Sequence, residues 1–436
     1  MNPLFRFPTV AVLGLLAAAV VAPAQQLTVQ PFHASGIYRA GESVGWTLSL
    51  PAGVKAPAGG YDYTVKRDGA VVIKSGKIDP APSATIELSV NEPAMVLLDV
   101  APMDRAAKHT VAGAAIDPTR IPPDAACPAD FDAFWASKIA LLHGIPMDPV
   151  VTPEPSGRDG VDYATVRLNN IGGAHVYGQL AKPSRPGKFP AVLIMQWAGG
   201  PYPLQKAWVT DRAAQGWLAL NVEPHDVPFN LPKEFYDALP AMIKNYTSLY
   251  NDERDRNYFL QMYLGDYRAL DYLAGRPDWD GRILVAAGTS MGGQQSFAVA
   301  GLHPRVTHMI VDVPAGADSN AALHGRAAGY PNWDARSPKV MSTALYFDTV
   351  NFASRIKAKC LVAMGFVDTT CPPVGVWTAF NQIAGPKEAV PMIDSPHNNF
   401  ATPEEQRPYT ERSAAWFAAL VQDREPELRN NLGEAK

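Results

Sequence analysis

A chain of 436 residues, 47% hydrophobic and 18% charged, has room for two ordinary globular domains and lies far from disordered compositions. Its formal net charge of -4 and pI near 6.1 give no electrostatic case for nucleic acid or an anionic membrane surface. Three cysteines, Cys127, Cys360 and Cys371, are too few for a disulfide scaffold, and no Cys/His cluster has zinc spacing, so neither a metal nor another cofactor is expected.

The chain opens with Arg6, a short apolar run from Val10 to Val21, and the small residues Ala22-Pro23-Ala24. That pattern reads as a cleaved signal peptide over residues 1–24, since the run falls short of the ~20 residues a membrane span needs. It implies a periplasmic or secreted protein. Residues 25–117 read as β-structure. Thr85 to Val90 alternates polar and apolar, and Tyr61, Tyr63 and Val65 share one face of a strand. Asp68-Gly69 then marks a hairpin turn into Val71-Val72-Ile73. Short strands without helical periodicity suggest a small immunoglobulin-like sandwich, and the Pro-rich segment 118–128 reads as the linker that ends it.

From 129 to 436 the pattern changes. Phe131, Phe134, Trp135, Ile139 and Leu142 have helical spacing. Apolar runs at Ala191–Met195, Trp217–Val222, Ile283–Ala287, Met309–Val313 and Leu361–Met364 alternate with helical stretches. Such runs are the signature of strands covered on both faces, so a doubly wound, mostly parallel α/β sheet is expected. Thr402-Pro403-Glu404-Glu405 reads as a capping box. A helix follows it, with Pro408 as a restart point and Trp416, Phe417 and Leu420 on the apolar side.

Gly288-Thr289-Ser290-Met291-Gly292 stands between the strand at Ile283–Ala287 and the helical run Gln294–Leu302. This is the strand–turn–helix setting of a nucleophile elbow, which points to the α/β-hydrolase fold with Ser290 as nucleophile and the Met291 N–H as an oxyanion donor. The fold orders its triad as Ser, acid, His. Asp368 follows the strand ending at Met364, and His397 follows a strand candidate at Ala389–Ile393. No other histidine follows His324. Asp394 is a fallback acid, set too near His397 in sequence to orient its ring. Taken singly, an aspartate in a turn and a histidine in a surface loop are common; the order and strand ends are what single these two out.

At these residues the sequence resembles the acetyl xylan esterase / cephalosporin C deacetylase family, carbohydrate esterase family seven, over residues 121–421. The likeness rests on Asp130-Phe131-Asp132-Ala133-Phe134-Trp135, Pro146-Met147-Asp148-Pro149, Asp278 to Ile283 leading to Ser290, His303-Pro304-Arg305-Val306 and Asp312-Val313-Pro314. Its most specific stretch is Gly365 to Glu388, with Asp368, Cys371-Pro372-Pro373, Asn381 and Gly385-Pro386-Lys387-Glu388. It implies that Ser290, Asp368 and His397 are nucleophile, acid and base, and that small acyl groups, chiefly acetyl, are removed from sugar hydroxyls. The family's His-Gly-Tyr turn is replaced here by Gln196-Trp197-Ala198-Gly199-Gly200, so the Ala198 N–H becomes the second oxyanion donor. The family's Arg-Gly-Gln-Gly is replaced by Glu223-Pro224-His225-Asp226. Asn398 follows the histidine where the family has Glu. The resemblance also implies a toroidal hexamer, which an added sandwich would obstruct, so the oligomeric state stays open.

Trp197 and His225 are candidate substrate contacts, a sugar platform and a rim residue respectively; packing and loop stabilisation are the plainer roles. Cys371 is expected as buried packing rather than a second nucleophile. Asn245-Tyr246-Thr247 has the N-glycosylation pattern. The expected partner is an acetylated carbohydrate. The rival readings are another acyl hydrolase on the same fold, such as a peptidase or uronoyl esterase, and a carbohydrate-binding protein with a decayed site.

Overall fold

The computed structural model describes residues 27–57, 59–103 and 108–432; the signal-peptide reading falls outside them. Among the described residues no helix is long and apolar enough to cross a membrane.

Among the described residues the amino-terminal part holds eight strands: β1 (Thr28–Pro31), β2 (Ile37–Tyr38), β3 (Ser43–Ser49), β4 (Tyr61–Arg67), β5 (Val71–Ile78), β6 (Ser83–Ser89), β7 (Ala94–Pro102) and β8 (Thr110–Ile116). They form a three-stranded sheet, β1-β3-β6, and a five-stranded one, β2-β8-β7-β4-β5. Alternate residues of both sheets, among them Trp46, Leu48, Val65, Ile86 and Leu98, make one core, as period-two patterning requires. The β4–β5 hairpin turns at Asp68 and Gly69, whose φ values of 50 and 73° are those of a primed turn. The Asp68 carboxylate accepts the Met95 N–H at 2.8 Å, tying the turn to β7.

Among the described residues a third sheet has nine strands: β9 (Val150–Glu154), β10 (Val161–Asn169), β11 (His175–Pro183), β12 (Phe189–Met195), β13 (Leu218–Val222), β14 (Trp279–Thr289), β15 (His308–Asp312), β16 (Lys359–Gly365) and β17 (Lys387–Met392). Their order is β17-β16-β15-β14-β12-β13-β11-β10-β9. The six strands from β12 onward are parallel, and β11, β10 and β9 extend them antiparallel. The parallel strands coincide with the apolar runs because both of their faces are covered. Helices Tyr258–Ala274, Met291–Leu302 and Pro373–Gln382 pack on one face; Ala207–Ala214 and Arg407–Val421 pack on the other. Exposed β9 and the more buried β10 and β11, whose apolar residues are interrupted by polar ones, carry no such run, and the sequence reading does not include them.

Helix Phe131–His143 buries Phe131, Phe134, Trp135 and Leu142 as its spacing predicts. The expected capping box is not formed: Thr402 makes no side-chain cap, residues Pro403–Gln406 are a 3₁₀ turn, and the α-helix starts at Arg407. Glu405 instead accepts the Ala401 N–H.

The Pro-rich segment after β8 is held fast. Ile121 is buried in the main core, and the Asn381 side-chain amide donates to the carbonyls of Pro118 and Ile121 at 2.9 and 3.0 Å. Nearby motif residues also have structural work. Lys387 Nζ donates to the carbonyls of Phe380, Asn381 and Ile383 at the end of helix Pro373–Gln382, where a cation complements the helix dipole. Glu388 pairs bidentately with Arg412 at 2.6 and 2.7 Å, joining the edge strand β17 to helix Arg407–Val421.

Candidate active site

The residues singled out by the sequence converge at the carboxyl ends of the parallel strands, where open α/β sheets place their sites. Ser290 caps β14 with φ 59 and ψ -120°. A non-glycine residue holds that conformation only when its surroundings enforce it. Its N–H donates to the Asp312 carbonyl, and its own carbonyl accepts from Ala315, both at 3.0 Å. Gly288 and Gly292 make the turn sterically possible. A Cβ on Gly288 would lie 2.4 Å from Gly292 C, and one on Gly292 would lie 2.4 Å from the Met195 carbonyl oxygen.

His397 Nε2 lies 2.9 Å from Ser290 Oγ, and His397 Nδ1 lies 2.7 Å from Asp368 Oδ2. An ionised carboxylate only accepts, so Nδ1 carries the ring proton and Nε2 presents its lone pair to the serine hydroxyl. The other carboxylate oxygen of Asp368 accepts the N–H groups of Thr370 and Cys371, both at 2.8 Å. Both oxygens of this buried acid are therefore satisfied and its orientation is locked. Asp394 is exposed and the ring nitrogen facing an acid is engaged by Asp368, so the fallback acid is not used.

The turn after β12 is braced from three sides. Gln295 Nε2, buried on the elbow helix, donates to the Gln196 carbonyl at 3.0 Å. The Tyr202 hydroxyl sits 3.2 Å from Gln196 Oε1 and 3.1 Å from the Trp197 carbonyl. His225 Nε2 donates to the Gly199 carbonyl at 3.0 Å, while the Tyr258 hydroxyl donates to its Nδ1 at 2.8 Å. Among the described residues, no backbone carbonyl takes the N–H of Met291 or Ala198.

This corrects the expectation for His225. It is buried rather than on the rim, and both ring nitrogens are used inside the protein. Burial drives its pKa down to about 4, outweighing the Gly199 hydrogen bond, so the ring is neutral and serves as a brace. Asp226 accepts the His175 N–H. Trp197 is 44% exposed. Its ring lies parallel to Tyr202, 5.8 Å away, and meets Trp208 edge-on. Nearly half of this residue thus remains in solvent.

Several neighbours had no legible signal. Tyr246 and Tyr330 share a hydrogen bond and approach Met291 Sδ at 3.1 and 3.3 Å. Glu223 is buried with neither carboxyl oxygen partnered among the described residues, and burial raises its pKa well above the usual range. Asp312 is likewise buried; its pKa is raised to about 7 by desolvation, with His397 pulling it down and Asp368 pushing it up. The three cysteines are free thiols. Burial raises Cys371, so its thiol stays protonated. Its sulfur lies with one ligand-type atom each of Asp368 and His397 inside 4.8 Å, a proximity linear spacing did not reveal. Two of those three groups are already engaged with each other and with Ser290.

Fold and site together define a mixed α/β protein of the α/β-hydrolase class. Acetyl xylan esterase from Paenibacillus sp. R4 superposes with a TM-score of 0.60 at 25% identity, covering 70% of this chain and 98% of that one. Acetyl xylan esterase 1 from Thermoanaerobacterium sp. JW/SL YS485 has the same fold, with a TM-score of 0.59 at 19% identity, over 70% of this chain and 97% of its own. The model of the acetyl xylan esterase family (AXE1) matches residues 120–413. Acetyl esterase Axe7A of Xylanibacter ruminicola is 30% identical over 406 residues, 88% of this chain and 90% of that protein. The chain belongs to the acetyl xylan esterase family and is a carboxylic ester hydrolase.

Proposed function

We propose that this protein removes acetyl groups from carbohydrate esters, such as acetylated xylan or xylo-oligosaccharides, through a Ser290–His397–Asp368 triad. The carrying observation is the bonded series from Asp368 Oδ2 to His397 to Ser290 Oγ, at 2.7 and 2.9 Å. His397 Nε2 takes the hydroxyl proton as Oγ attacks the ester carbonyl carbon, and the carbonyl oxygen gains the electron pair. The N–H groups of Met291 and Ala198 receive that oxyanion. Collapse of the tetrahedral intermediate breaks the ester C–O bond, and the imidazolium gives its proton to the departing sugar oxygen. Water, deprotonated by the same histidine, then releases acetate from Ser290. The exposed Trp197 face supplies a platform for a sugar ring.

In the same reading, residues 1–24 direct export to the periplasm or medium. Residues 25–117 are an immunoglobulin-like domain, 118–128 the connection, and 129–436 the catalytic domain.

Acetate release from acetylated xylan, acetylated xylo-oligosaccharides and cephalosporin C tests the substrate, and hydrolysis of p-nitrophenyl acetate tests the nucleophile. Ser290→Ala is expected to lose about 10⁶-fold in kcat, as for other serine nucleophiles. Equal rates in wild type and Ser290→Ala would refute the triad.

A further inference from the structure

We propose that the amino-terminal β-unit is a brace for the acid and base loops, with Gly113 and Gly36 as positioning residues. The inference rests on the triad reading above. Its basis is a seam where the two sheet systems meet just behind those loops.

Phe366 stands two residues before Asp368, and its N–H donates to the Met392 carbonyl at 3.0 Å. That bond fastens the exit of β16 to the exit of β17, from which the chain runs through Ile393 to His397. The outer surface of this junction is Phe366 and Ile393, and the β-unit covers it. Gly113, on β8, lies so close that a Cβ there would stand 2.5 Å from Phe366 Cβ and 2.6 Å from its carbonyl oxygen. A Cβ on Gly36 would meet Ile393 Cγ2 at 3.2 Å and Phe366 Cε2 at 3.3 Å. Gly36 is in turn bonded to β8, its carbonyl accepting the Ala115 N–H at 2.8 Å.

The hairpin tip of the same unit reaches a third loop. The Asp68 carbonyl accepts the Ala327 N–H at 2.8 Å. Three residues on, the Tyr330 N–H donates to Thr370 at 2.8 Å, next to the N–H groups that hold Asp368. Met95 and Ala115 join the main core of the catalytic sheet. Close-packed interiors transmit displacement rather than absorb it. A β-unit seated on Phe366, Ile393 and Ala327 therefore fixes where Asp368 and His397 stand.

The test is Gly113→Ala in the full chain, with Leu48→Ala as comparison. Leu48 lies in the core of the β-unit on β3, in the sheet that does not carry Gly113. A methyl at position 113 meets backbone, so the junction must part by about 1 Å, a displacement that costs up to about 10²-fold when it reaches a catalytic group. With p-nitrophenyl acetate, kcat of Gly113→Ala should fall about 10- to 100-fold while KM changes little. The acid limb of its kcat/KM profile should move to lower pH, because a displaced carboxylate no longer favours the imidazolium. Leu48→Ala should lower Tm and leave kcat and the pH profile as they are.

If Gly113→Ala does not fold, Gly36→Ala, whose Cβ meets only side-chain atoms but whose φ of 66° adds backbone strain, carries the same test. A folded seam variant with wild-type kcat and pH profile overturns the brace. So does a kcat loss in Leu48→Ala matching that of the seam variant. Failure of the triad reading is separate, since it shows as activity retained in Ser290→Ala.

Discussion

At the scale of single residues, the proposed acid is defined by how completely it is used. Asp368 accepts three hydrogen bonds, one from His397 and two from backbone N–H groups. Asp368→Asn keeps the volume but offers an amide where an acceptor is needed, so the imidazole settles in the wrong tautomer. A kcat loss of about 10⁴-fold in steady-state hydrolysis is expected, with little change in KM. Asp312 makes the opposite case, a buried carboxyl whose proton the fold holds to higher pH. It faces His397, Asp368, Tyr409 and Cys371. Its pKa rises from an ordinary 3.8 to about 7, so the folded state binds its proton more tightly than the unfolded chain. The stability it lends is full below about pH 4 and fades as pH climbs to about 7. The difference corresponds to about 4 kcal/mol. Urea melts of wild type and Asp312→Asn at several pH values check this: the variant should lack that decline. A parallel decline in both would contradict it.

At the scale of elements, the turn after β12 is held by side chains from the elbow helix, from the loop after β13 and from its own far end. His225 is the member whose part is least expected from sequence. Its replacement by leucine frees the Gly199 carbonyl and loosens the turn carrying Ala198. Such a change is expected to lower kcat by up to about 10²-fold, the scale of one oxyanion donor. Because the ring is neutral above a pKa of about 4, the loss should be independent of pH above that value. Trp197 lies on the same turn but faces outward. Trp197→Ala should raise KM for an acetylated oligosaccharide more than KM for p-nitrophenyl acetate, as measured by initial rates on both. Equal shifts would assign the ring to packing.

At the scale of the whole molecule, the edge of the large sheet at β17 is closed by the carboxyl-terminal helix and tail. The Glu388 side chain pairs with Arg412 and also accepts from the Arg429 N–H and the Asn431 amide. Glu388→Gln leaves Arg412 buried without its charge partner, and removing one member of a buried pair typically costs about 3–5 kcal/mol. Denaturant unfolding should report a loss of that order. The same strand carries the chain toward His397, so the pair also anchors the route to the proposed base.

Much of this is legible in the sequence. Ser290, Asp368 and His397 could be named because each follows an apolar run and because the fold imposes their order. The runs and the elbow are local signals: a strand buried on two faces writes itself as consecutive apolar residues, and a sharp turn writes itself as glycines. The strands β9 to β11, one exposed and two with polar residues among the apolar ones, leave no such mark. Thr402 had the letters of a cap, but its segment turns as 3₁₀. Sequence alone therefore determined the succession of elements and the chemistry offered at their ends, since backbone preference and burial period act over a few residues. Only the tertiary structure decided that His225 is a buried brace, that Cys371 and Asp312 crowd the proposed triad, and that glycines of the β-unit seat the acid loop. Those contacts join residues far apart in the chain, and their energy depends on distance in space rather than separation in sequence.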